Sequence, residues 1–271
     1  MAIIKGAIQM TGGIRGVSFY TLAGSDKVIM RTKGGPKARR MKVGKEFEKL
    51  RQHQSEWSAC VKFSQGIRYA LGETYRLADY NVSPVWNGMG KNLMKLDNEH
   101  IISERNLKLS AYRQVLENFS LNRKYPFNTV FRVLPRYELS EDRLKATVLM
   151  PRINTQMDLV NIQKLPYFRL IISLGIVSDI TYRPDEQTDR YFPELGYSNG
   201  QSESTLTEWY SANDIIPEQS LMVELLSSDI EHMSTDTTVL LGIGIEFGNV
   251  GFLGQVSEVK RAGCAKILAV L

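Results

Sequence analysis

Reactive side chains are scarce in this sequence. Of its 271 residues only two are cysteine, Cys60 and Cys264, and three are histidine, His53, His100 and His232. Two distant thiols do not make the disulfide framework of a small secreted domain, and a pair of buried thiols in a reducing compartment is the expected state. The histidines stand far apart, with no cysteine or carboxylate at the spacing of a metal centre, so neither a metal site nor a cofactor is expected. No Gly-x-Ser-x-Gly elbow occurs to present a nucleophilic serine. Gly242-x-Gly244-x-x-x-Gly248 is one residue too long for a dinucleotide fingerprint and reads as a strand that another backbone approaches closely. Gly12-Gly13-x-x-Gly16 lacks the Lys-Ser/Thr of a phosphate-binding loop. The acidic pairs Glu141-Asp142 and Asp185-Glu186 fall in turn-like sequence, where acids are common. A non-enzymatic protein is the expectation.

Long apolar runs are missing too. The longest, Phe168–Ile180, is broken by Arg169, Ser173 and Ser178 and falls short of the roughly 20 residues that cross a bilayer. No apolar block of the signal-peptide kind follows Met1. A cytoplasmic location without a membrane span is expected, with signal-independent export to the cell exterior as the alternative.

Acid is nearly absent from one stretch. The first 45 residues hold ten Lys/Arg and one acid, Asp26, a net +9, while the remaining 226 residues carry 24 bases and 28 acids, a net −4. Such asymmetry points to a polyanionic partner or to an oppositely charged protein surface, including that of another copy.

What is present suits a folded protein: 43% apolar and 23% charged residues in a chain long enough for two units and an arm. Residues 1–44 read as a basic β arm. Ile4, Gly6, Ile8 and Met10 alternate, Thr11-Gly12-Gly13 signals a turn, and Ile14–Leu22 and Lys27–Thr32 follow as strands around Ala23–Asp26. A three-strand meander of this size needs one face covered. Gly34-Gly35-Pro36 then opens a linker carrying the Lys37–Arg40 cluster. The candidate partner-binding residues are Arg15, Phe19, Tyr20, Arg31, Lys33, Lys37, Arg39, Arg40 and Lys42. The cations suit phosphates or an acidic protein face, and Phe19 and Tyr20 suit either base stacking or strand packing.

Residues 45–125 read as a helical unit. Phe47, Leu50, Gln54, Trp57, Val61, Ser64, Ile67, Leu71 and Tyr75 approximate a seven-residue repeat and predict a helix over 45–78. Ser83-Pro84 opens a second helix to about Lys95, and Ser103-Glu104 a third with Leu107, Ala111, Val115 and Phe119 inward. Residues 126–271 supply β-favouring runs at Asn128–Leu134, Arg143–Met150, Tyr167–Tyr182, Thr205–Ser211, Ser220–Ser227, Thr237–Phe247 and Lys260–Leu271, predicting an Ig-like antiparallel β-sandwich. Tyr167–Tyr182 is long enough to bend at Gly175 or to split. The final apolar run is a hazard on a bare edge, so it is expected inside the sandwich or paired with a partner. The fold class is α+β: a β-meander arm, a small helical bundle and a sandwich.

Gly16-Val17-x-Phe19-Tyr20, Gly24, Val28-Ile29-x-Arg31, Lys33-Gly34-Gly35-Pro36 and Phe47–Arg51, with Gly242–Gly248 and Gly263-x-Ala265-Lys266-Ile267-Leu268 near the other end, resemble a group of uncharacterised proteins from Bacteroidota. The likeness lies mainly in residues 6–52 and 237–271. It implies the same glycine-rich β arm, helical middle and C-terminal sandwich, and carries no activity.

Three functions are therefore expected in order. The first is a structural subunit that self-assembles head to tail, as a filament or tube, through its arm. The second is a nucleic-acid-binding protein using the arm on phosphates. The third is a sandwich that binds carbohydrate or peptide through Trp209-Tyr210.

Overall fold

The computed structural model describes residues 2–4, 11–21, 27–32, 34–184, 190–226, 237–251 and 254–271. The chain divides into two compact units, Met1–Arg51 and Gln52–Leu271. The fold is α+β, with an N-terminal strand meander and a C-terminal antiparallel sandwich.

In the first unit β1 (Ala2–Ile4), β2 (Gly12–Ile14), β3 (Val17–Thr21) and β4 (Val28–Thr32) form an antiparallel sheet in the order β1-β4-β3-β2. The expected turn at Gly12-Gly13 is instead strand, and Ile14–Leu22 is broken by a turn at Arg15-Gly16. Both turn residues have positive φ (40° and 84°), as a two-residue hairpin requires, and Gly16 takes that conformation without a steric penalty. The expectations for Gly6–Met10 and for Ala23–Asp26 lie outside the described residues. The linker after Pro36 is partly helical: α1 (Ala38–Val43) precedes a 3-10 turn at Lys45–Phe47.

The second unit begins within the long helix α2 (Glu48–Ala70), followed by α3 (Gly72–Tyr75) and α4 (Ser83–Met94), whose Ser-Pro start matches its expected opening. α2 buries Glu56, Ala59, Cys60, Phe63, Ser64 and Ile67 and leaves Leu50, Trp57 and Val61 exposed, so the seven-residue stripe follows the buried face from Ser64 through Ile67 to Leu71 and misses it before that. Glu56 is admitted inside because Lys91 of α4 pairs with it and the backbone N–H of Ser103 donates to it. The expected third helix is absent. Leu107 bridges Ile180 in an antiparallel pair, and a 3-10 stretch follows at Ser110–Leu116. Leu107, Leu109, Leu116 and Leu121 are buried while Ala111 and Val115 are exposed, a spacing no α-helix can serve.

Asn128–Leu134 is also not a strand. Pro126 starts a short helix, α5 (Phe127–Val130), which sets Phe127 edge-on to Phe131, with ring centres 5.6 Å apart. Then come β5 (Arg136–Leu139), β6 (Lys145–Met150), β7 (Ile153–Asn154), α6 (Thr155–Asp158), β8 (Tyr167–Val177), β9 (Ile180–Tyr182), β10 (Tyr191–Pro193), β11 (Ser202–Leu206), β12 (Tyr210–Ser211), β13 (Ile215–Ile216), β14 (Gln219–Glu224), β15 (Thr238–Val250) and β16 (Val256–Val270). The main sheet runs β11-β8-β15-β16, with β12 also on β8, and the small sheet runs β14-β6-β5.

The main sheet is buried on both faces. One face of β8 and β15 (Phe168, Leu170, Ile172, Leu174; Val239, Leu241, Ile243, Ile245) meets Ala146, Val148 and Val223 of the small sheet. The other face (Ile171, Val177, Leu240) meets Phe63, Ile67, Leu71 and Trp86 of the helices. Two buried faces explain why these strands read as near-continuous apolar runs rather than alternating ones. The helices thus share a core with the sheet, so residues 52–271, expected as two domains, pack as one unit.

Glycine sets the helix-sheet distance. β8 runs straight through Gly175 and ends at Val177; a Cβ at Gly175 would stand 2.1 Å from the Ala70 carbonyl oxygen at the end of α2. On β15, a Cβ at Gly242 would meet Thr74 of α3 at 2.7 Å, so the glycine-rich run is a seat for a helix.

β16 lies at the edge of its sheet, neither internal nor left bare. Residues 119–122 close it: Leu121 N–H donates to Ala265 C=O, Ile267 N–H to Phe119 C=O, and Ala265 N–H to Asn122 Oδ1 (2.8–2.9 Å).

Candidate interaction surface of the basic arm

The first unit, Met1–Arg51, holds 12 Lys/Arg and 3 Asp/Glu, again a net +9, so the basic stretch of residues 1–45 lies wholly within it. Arg15 sits exposed at the tip of the β2–β3 hairpin. Register places Arg31 opposite Ser18 and diagonal to Tyr20, and its guanidinium lies 5.4 Å from the Tyr20 ring centre. Tyr20 is therefore covered on that side by a cation of its own sheet. Phe19 points to the opposite face, across from Met30, and both Phe19 and Tyr20 are half-buried.

Lys37, Arg39, Arg40 and Lys42 are exposed on or beside α1. Arg40 Nε meets Glu46 Oε1 at 2.8 Å, and Arg51 donates to the carbonyls of Met41 and Gly44, both at 2.8 Å, where the helix presents its negative end. Lys37, Arg39 and Lys42 have no acid within 4.0 Å among the described residues. Lys33 lies outside the described residues. The structure thus brings Tyr20 and Arg31 together and places four cations on or beside one short helix. Apolar side chains are also exposed here: Ile14 at 61% and Val43 at 74%.

In the second unit the densest charge cluster is one that sequence reasoning missed. Glu246, 2% exposed on the helix-facing side of β15, lies between Arg169 of β8 and Arg76 at the end of α3. Arg76 also meets Glu73 and Glu258 at 2.7 and 2.8 Å, and Arg169 stacks over Trp209 at 4.4 Å. Burial works against the Arg76 charge, but Glu246 and Glu73 outweigh it and hold the guanidinium protonated. Glu246 is thus engaged by two cations, an arrangement that clamps α3, β8 and β15 together. Only the cross-strand pairing of Glu246 with Arg169 brings these residues into line, a fact local sequence does not contain. Trp209 packs under Arg169 and against Gly248, and Tyr210 lies tilted against Phe168 and donates to Gln219 Oε1.

Asp97, Glu99 and His100 are the one group of three or more metal-ligand side chains that converges among the described residues. The sequence reading passed over it. Asp97 accepts from the backbone N–H groups of Glu99, His100 and Asn106 and lies 2.9 Å from the His100 ring, so its oxygens close a loop. His53 is exposed, and His232 lies outside the described residues. Cys60 and Cys264 are free and buried, and burial pushes their thiols up to about 11 and about 12. No described helix is long and apolar enough to cross a membrane.

No protein-family description, curated protein or solved structure matches the chain.

Proposed function

We propose that this protein is a non-enzymatic structural subunit that assembles head to tail, its basic arm docking on the body of the next copy. The observation that carries this reading is that the +9 stretch of residues 1–45 lies within a structural unit of its own. That unit, Met1–Arg51, exposes Ile14 and Val43, together with cations that have no acid within 4.0 Å among the described residues. A four-stranded sheet of three- and five-residue strands is small for independent stability, and a partner surface would cover its apolar side chains. A contact between different patches on two copies is heterologous, so it closes as a ring or propagates as a helix.

Light scattering behind a sizing column tests this on nuclease-treated full-length protein. Particles much larger than 30.7 kDa at low salt, dissociating as salt rises, are expected. A monomer at every salt concentration would sink the proposal.

A second reading has its own observation. Lys37, Arg39 and Lys42 stand in solvent around α1, and no acid lies in its first turn. This array suits phosphates, whose binding weakens steeply with salt. Absorbance at 260 nm that copurifies with the protein, and is removed by high salt, would favour a nucleic-acid partner.

A further inference from the structure

The two ends of the small sheet are treated differently. In the cross-strand row Tyr137–Val148–Leu221, the inward side chains are 41%, 0% and 9% exposed. The β14 end is covered, because β11 lies beside it and Thr205 Oγ1 donates to the Met222 carbonyl at 2.7 Å. The β5 end is open. Tyr137 belongs to the inward row yet is bare on its outer side, and Leu134 just before it is 77% exposed. The core at this end stops one strand short of closure.

On these grounds we propose that β5 accepts an added strand, and that the occupant is the β2 edge from the arm of a second copy. The arm is the complementary piece in three respects. β2 is the end strand of its own sheet, with no partner on its outer side among the described residues. Ile14, at its end, offers an exposed apolar side chain to cover Tyr137. Arg15 follows directly in a unit of net +9, while the accessible acids along β5 and its turn, Glu138, Glu141 and Asp142, outnumber Arg136. Arg143, in the same turn, directs its guanidinium to the carbonyls of Thr237 and Leu271. Added strands gain backbone hydrogen bonds, with alternate side chains fixing register. The inference rests on the assembly reading and names its acceptor.

Two single variants of the full-length chain, Ile14→Cys and Tyr137→Cys, provide the test. Both native cysteines are buried, so the wild type is a quiet background for disulfide formation. Mixed under mild oxidation, the two variants should give a disulfide-linked dimer containing one of each, and neither variant alone should do so. Tyr137→Lys should raise the concentration needed for assembly about tenfold or more by placing a charge on the edge. Links only between Ile14→Cys copies would overturn the proposal, as would closure only within single chains of a double variant. Large particles that ignore Tyr137→Lys and give no mixed dimer would remove β5 as acceptor and leave the arm reading standing. Absence of particles in the wild type would remove both.

Discussion

Lys266 shows how a single residue can oppose the fold around it. It is 4% exposed on β16, its ammonium makes one long hydrogen bond to Asn118 Oδ1 (3.4 Å), and it lies 5.6 Å from the centre of the Phe127 ring. Among the described residues no carboxylate reaches it, and burial lowers its pKa from the ordinary lysine value. A buried ammonium with few partners costs more than it returns, whereas methionine would fill the same space. Lys266→Met should therefore stabilise the protein by about 1 kcal/mol at neutral pH, a rise of roughly 2–4 °C in Tm. The sign of the pH dependence follows from the lowered pKa. Between the folded value and the unfolded value the unfolded chain holds more protons, so wild-type stability rises with pH through that window. The advantage of methionine should shrink there, and thermal melts at two pH values would show it. An unchanged or lower Tm at neutral pH would mean the ammonium has partners that outweigh its burial.

Among the elements, the join between α2 and β8 is the tightest. With the Ala70 carbonyl 2.1 Å from where a Cβ at Gly175 would stand, Gly175→Ala must push the helix off the sheet. A loss of about 3 kcal/mol is expected in urea unfolding, at the upper end for overpacking because the obstacle is backbone. The same join explains which elements could be read from sequence. β8, β15 and β16 were legible because burial on both faces leaves long β-branched runs that only a central sheet can use. The inward face of α2 was legible only towards its end, where Ser64 and Ile67 follow the repeat. Before that its inward residues include Glu56, Ala59 and Cys60, while Leu50, Trp57 and Val61, which a hydrophobic repeat favours, face solvent. The Ser103–Phe119 stretch was misread because Leu107 and Leu109 alternate toward β9 and the helices over too short a span to separate from a helical pattern. The arm's candidate cations were legible from composition alone, but the Glu246 cluster draws Arg76, Arg169 and Glu258 from three distant segments and has no local signature.

Across the whole molecule, the +9 stretch of residues 1–45 lies inside the first unit. On the assembly proposal, contacts between copies can therefore be altered without touching the second unit's core. Replacing Lys37, Arg39 and Lys42 together by glutamate moves the first unit from +9 to +3, a change of two charges at each of three positions. Large particles at low salt should disappear, while the main calorimetric transition of the second unit stays within about 2 °C, as surface changes outside packed regions usually leave stability intact. Particles that survive this reversal would mean that the cations are not what holds the copies together.

The position of β15 between β8 and β16 also sets a timetable for synthesis. The strand that completes the middle of the main sheet spans residues 238–250, so one edge of β8 lacks its partner until most of the chain has been translated. At about 5–20 residues per second, roughly 4–15 s separate the completion of β8 from that of β15. A nascent chain spends this interval with an apolar strand bare along one edge. Stalled translation before residue 238 would therefore yield a product prone to clumping on the ribosome, and a chaperone that shields β8 would have its greatest effect during those seconds.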